Sequence, residues 1–160
     1  MNPFAWLIGL ALPACGFPAA QGLPTPQPMD VVHIVRPASP NTALAAPPGW
    51  RPEPDIVTPP YPIPAERLFA LVREVAEGQN RTFLAAAYPE QLQVHYVVRS
   101  ALLNFPDLVT VQVMQERPGS SDLIIYSRSV YGRSDLGVNR ARVAAWLAAL
   151  QSKLPTASER

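Results

Sequence analysis

Leu92-Gln93-Val94-His95-Tyr96-Val97-Val98-Arg99 places apolar residues at 92, 94, 96 and 98 and polar ones at 93, 95 and 99. Successive side chains of a strand point to opposite faces, so this period of two predicts one buried face and one wet face. His95 falls on the wet face and reads as a surface histidine. Residues 108–114 repeat the pattern, with Val109, Val111 and Val113 on one side and Thr110 and Gln112 on the other. Leu123-Ile124-Ile125-Tyr126-Ser127-Arg128-Ser129 predicts a further strand, and the alanine-rich stretch 81–88 a weaker one upstream. Pro89-Glu90, Asn104-Phe105-Pro106-Asp107 and Arg117-Pro118-Gly119-Ser120 supply turn chemistry between them.

Helical stripes flank these strands. Pro64 suits a first helical position, Glu66 favours the positive end of the dipole, and Leu68, Leu71, Val72 and Val75 form one apolar face. Gly78 predicts a left-handed stop. Near the end, Val143, Trp146, Leu147, Leu150 and Leu154 form a second stripe, with Asp135 or Asn139 as its cap. The expected fold is an α+β two-layer sandwich in the order α-β-β-β-β-α. A four-stranded antiparallel meander carries both helices on one face. This domain spans 61–155, and 156–160 reads as a disordered tail.

Of 20 prolines, 16 lie in the first 64 residues. Proline fixes φ and removes a donor, so 16–60 is expected to run as an extended tether or as a strap over the domain. Trp50 and Tyr61 favour a strap, and Val31-Val32-His33-Ile34-Val35 predicts one edge strand.

The first 15 residues read as an address. No charged side chain precedes Asp30, and Phe4-Ala5-Trp6-Leu7-Ile8-Gly9-Leu10-Ala11-Leu12 is too short to span a bilayer. It ends in Leu12-Pro13-Ala14-Cys15-Gly16, which resembles the lipobox of bacterial lipoproteins. Three readings are open: lipidation at Cys15, a plain signal peptide, or an uncleaved anchor. The first makes Cys15 the link to a membrane partner and places the protein in the cell envelope, facing the periplasm.

Charge and composition exclude several classes. A net charge of +1 offers no field for nucleic acid. One cysteine and two distant histidines, His33 and His95, rule against a zinc site, and no nucleotide or cofactor motif occurs.

Ser127-Arg128-Ser129-Val130-Tyr131-Gly132-Arg133-Ser134-Asp135-Leu136-Gly137-Val138-Asn139-Arg140-Ala141-Arg142-Val143 resembles the signature of a family known as domain of unknown function 1499. Pro40-Asn41 and Arg99-Ser100-Ala101-Leu102-Leu103-Asn104-Phe105-Pro106-Asp107 resemble its other elements, in order along the chain. The chain departs from the family pattern at Thr42, where cysteine is usual, at Pro106-Asp107, where two aspartates are common, and at Tyr126 and Val130, where arginine is usual. The resemblance implies the domain and a setting beside membranes, in bacteria and plastids, but no reaction.

At this strand–turn–helix junction Arg128, Arg133, Ser134, Asn139 and Arg140 are the candidate ligand-binding residues. Unpaired N–H groups at a helix start and guanidinium forks both suit a small anion or headgroup. In the competing structural reading the glycines permit turns, Asp135 and Asn139 cap, and the arginines pair with Asp107 or Glu116. A hydrolase using Ser134 is the enzymatic alternative, but the glycine spacing of a nucleophile elbow is missing and His95 is the only base within the domain. The expectation is therefore a non-catalytic binding or scaffolding module, with an envelope protein or a small anion as partner.

Overall fold

The computed structural model describes residues 13–155; the apolar leader over 1–12 and the expected tail at 156–160 lie outside the described residues. Six strands build one sheet: β1 (Thr42–Ala46), β2 (Ile56–Val57), β3 (Thr82–Tyr88), β4 (Gln93–Arg99), β5 (Pro106–Arg117) and β6 (Ser120–Ser129). Helix α1 (Ala65–Glu77) lies between β2 and β3, and helix α2 (Val138–Gln151) follows β6. The sheet order is β2-β1-β6-β5-β4-β3, with β1 and β2 parallel and the other pairs antiparallel.

The α+β class holds, but a four-stranded antiparallel meander does not describe this sheet. The expected meander is β3 to β6, and β1 extends it along the edge of β6. Proline density argued against strands in this stretch, yet Pro40 and Pro47 stand just outside β1 and none interrupts it. Alanine favours strands weakly, so packing decides: Ala43 and Ala45 are fully buried in the helix-side core, small enough for α2 to sit close. The sheet therefore draws two strands from the stretch expected as tether or strap.

Both helices cover one face. Leu68, Leu71, Val72 and Val75 of α1 and Val143, Trp146 and Leu150 of α2 meet Val94, Tyr96, Val109, Val111, Leu123 and Ile125. Gly78 follows α1 with φ −80°, a right-handed rather than left-handed stop, and donates its N–H to the Glu74 carbonyl.

The other face is covered by chain without regular structure. Val31 and Ile34 form a second apolar cluster with Leu44, Ala46, Ile124 and Tyr126. The expected edge strand at 31–35 is instead a turn, because Asp30 Oδ1 accepts the N–H groups of Val32 and His33 and curls the backbone. With strap on one face and helices on the other, every residue of β4 is buried. Among the described residues no helix is long and apolar enough to cross a membrane.

Candidate functional site

Strand alternation divides the signature between the two faces. Ser127 and Ser129 point to the helix side, and Arg128 to the strap side.

On the helix side the junction is a closed polar network. Asn139, at the start of α2, is fully buried. Its Oδ1 accepts from Ser127 Oγ (2.5 Å) and Arg142 Nη1 (2.7 Å). Its Nδ2 donates to the Asn41 carbonyl (3.0 Å), Ser129 Oγ (3.0 Å) and Asp135 Oδ2 (2.7 Å). Arg142 also donates to Ser127 Oγ and forms a 2.6 Å ion pair with Asp107 at the start of β5. The N-cap position is Gly137 rather than Asp135 or Asn139, and Asp135, two residues before it, accepts the N–H groups of Gly137 (3.0 Å) and Asn139 (2.8 Å). Burial alone would raise its carboxyl pKa, but these hydrogen bonds hold it below the ordinary value. Gly132 and Gly137, at φ +89° and +82°, make the turns that bring the chain back to the helix.

The residues expected to converge on an anion do not converge here. Arg133 and Ser134 are exposed, and Ser134 Oγ accepts the Leu136 N–H at 3.3 Å. Arg140 is exposed and donates to the Asp55 carbonyl at 3.4 Å. The partner of Asp107 is Arg142, which sequence reasoning left out of the site; its spacing of three from Asn139 on one helix face was the available signal. Glu116 takes Ser120 Oγ and lies 3.9 Å from Arg117.

On the strap side, Arg128 stands half-buried between two clefts. One, of about 360 Å³, is lined by His95, Thr110, Leu108, Val130 and strap residues 23–29. The other, of about 690 Å³, is lined by Tyr126, Ser129, Asn41 and the strap from 29 to 39. The Arg128 guanidinium makes no hydrogen bond or ion pair with a described residue. Exposed Arg133 lines neither cleft.

His95 is buried, not on the surface, because the strap closes the face that period two marks as wet. Its Nδ1 meets Thr110 Oγ1 at 3.0 Å and its Nε2 meets Gln93 Oε1 at 2.9 Å. The amide oxygen only accepts, so Nε2 carries the proton and Nδ1 accepts from Thr110. Gln93 ties the same spot to the strap, exchanging hydrogen bonds with the N–H (2.7 Å) and carbonyl (2.8 Å) of Met29. The Tyr88 hydroxyl donates to the Pro26 carbonyl at 2.6 Å, and its ring packs edge-on to His95.

Burial holds the His95 pKa below its ordinary 6.5. The unfolded chain then binds the extra proton, so stability is complete above about pH 6.5 and falls as pH drops toward the lower folded value. Melting between about pH 8 and 5 should show this decline, and His95→Gln should flatten it. Equal slopes for both proteins would mean that another group governs it.

The strap is fastened at its start by Arg99, at the end of β4. Buried Arg99 donates to the carbonyls of Ala14 (2.6 Å), Ala19 (2.7 Å), Gln21 (2.7 Å) and Asn104 (3.0 Å). Asn104 Nδ2 donates to the Cys15 (2.7 Å) and Phe17 (2.9 Å) carbonyls. Cys15 is a free, fully buried thiol; burial pushes its pKa up, against the opposing charge of Arg99. Among the described residues no three metal-ligating side chains cluster.

No curated protein matches the chain. A solved structure of a protein from Nitrosospira multiformis is similar, with a TM-score of 0.52 at 10% sequence identity, covering 74% of this chain and 99% of that one. At that identity the likeness concerns the fold alone. The family model described as "Protein of unknown function (DUF1499)" matches residues 34–150, from the strap through the junction network to the last core residue of α2, and the chain belongs to that family.

Proposed function

We propose that this is a non-catalytic binding module of the cell envelope, held at the membrane through Cys15, whose strap-side cleft takes a small anion or headgroup at Arg128. The observation that carries this reading is the guanidinium itself, half-buried between two clefts without a counter-ion among the described residues. A cation removed from water without a partner is costly, and a carboxylate or phosphate fits its fork. The cleft's apolar lining, Leu108 and Val130, suits a ligand with a hydrophobic part. Envelope residence rests on the apolar run before Cys15. Lipidation would remove Ala14, which Arg99 binds, and would require the sulfur to leave its buried position, so the anchored form differs from this seating at the first turn of the strap. Catalysis is disfavoured: Ser134 Oγ accepts a turn N–H, and both nitrogens of His95 are occupied.

The test is melting of wild type and Arg128→Ala with phosphate, citrate and glycerol phosphate. Wild type should gain up to about 2.7 kcal/mol at a hundredfold excess over Kd, the gain should fade with salt, and Arg128→Ala should fold but gain nothing. A wild type indifferent to all three, or a variant that keeps the full gain, would overturn the site.

A further inference from the structure

One end of the sheet differs from the other. Antiparallel register places the β4–β5 turn, the β6–α2 loop and the start of β1 together, and the Asn104 hydrogen bonds bring the strap's first turn to the same end. Asn41 closes the group by donating to the Gly132 carbonyl. Here Leu136 is 94% exposed, Leu102 69%, Val138 50% and Phe17 45%. Leu136 is held at φ +55°, where glycine or asparagine is the easier residue, so an apolar side chain is presented at some backbone cost. At the opposite end, the turns at 89–91 and 117–120 carry none of the exposed large apolar residues.

Charge follows the same division. Arg81, Arg133 and Arg140 are exposed at or beside the apolar end, while its carboxylates are engaged, Asp107 by Arg142 and Asp135 by the N–H groups of Gly137 and Asn139. The turns at the opposite end carry Glu90, Glu116 and Asp122 with Arg117, and the start of α1 and the end of α2 add Glu66, Arg67 and Lys153, the last paired with Glu74. Cys15, the anchor point of the membrane-held reading, lies in the strap's first turn, which Asn104 seats at this same end.

We infer that this end is a docking face for an anionic phospholipid bilayer, with Leu136 and Val138 entering the interface and the arginines meeting headgroups. Apolar burial and basic attraction act together at such surfaces. The inference rests on the membrane-anchored reading above and adds the orientation: the sheet end bearing the β6–α2 loop faces the lipid, and the β5–β6 hairpin faces away.

Thiol labelling of the protein isolated from membranes tests it, with Leu136→Cys and Pro118→Cys read against wild type, whose one cysteine, Cys15, is blocked by lipid in the anchored form. The vesicles contain phosphatidylglycerol and phosphatidylcholine, and flotation is measured in parallel. The protein should float, labelling at 136 should slow about tenfold on vesicles, and labelling at 118 should change less than about twofold. The double variant Leu136→Asn/Arg133→Glu, which keeps a residue suited to φ +55°, should partition about tenfold more weakly. If the protein floats while position 136 labels as in buffer, anchoring stands and the docking face is wrong. A chain that does not float overturns both. Equal protection on pure phosphatidylcholine would remove the anionic requirement and overturn the proposal as stated.

Discussion

Arg142→Ala should destabilise the domain by about 3–5 kcal/mol, the cost of removing one member of a buried ion pair. Arg142 and Asp107 side chains are each only 10% exposed, and the pair closes at 2.6 Å. Truncation leaves the Asp107 carboxylate without a counter-ion and takes one donor each from Ser127 Oγ and Asn139 Oδ1. The loss falls where β5, β6, α2 and the turn before β1 meet, so it should appear as a lower urea midpoint for the whole domain. A buried pair need not add net stability over an apolar replacement, so Asp107→Leu/Arg142→Met should recover part of the loss. A single variant costing less than about 1 kcal/mol would mean that the pair behaves as a surface bridge.

Trp146→Ala should cost about 3–5 kcal/mol through lost burial and the cavity left behind. Trp146 is 2% exposed, and its ring meets Tyr96 edge-to-face at 5.9 Å between centroids. That aromatic pair joins α2 to the middle of β4, and the Tyr96 hydroxyl reaches Glu77 at the end of α1 (3.2 Å). Burial pushes the Tyr96 phenol far up, so it stays a hydrogen-bond donor at any physiological pH. Thermal melts should show the loss with no change in the junction. A variant melting like wild type would place the stripe outside the core.

Four strands and two helices were legible because each is written in local spacing. Period two requires only that neighbouring side chains alternate, and the stripes of α1 and α2 require only that a helix turn every 3.6 residues. The sequence reading grouped Arg128 with Asn139 at one site, although alternation in a strand holding Ser127, Arg128 and Ser129 turns the arginine away from both serines. That same alternation separates the Arg128 cleft from the Asn139 network, although the two are neighbours along the chain.

The remaining features depended on contacts between distant segments. Ala43, Ala45 and Ala46 carry weak strand preference, and they lie in β1, which pairs along β6, with Ala43 and Ala45 buried in the core that α2 covers. His95 has the pattern of a wet-face residue, and its burial depends on Met29 and Pro26, more than sixty residues earlier, lying across that face. The sequence by itself determined which residues alternate in β4 and β5 and which apolar stripes α1 and α2 carry, since those are near-neighbour properties of the backbone. Only the tertiary structure decided which polar face stays wet and that Arg128 is half-buried without a partner among the described residues, because burial and pairing depend on segments that meet only when the chain has folded.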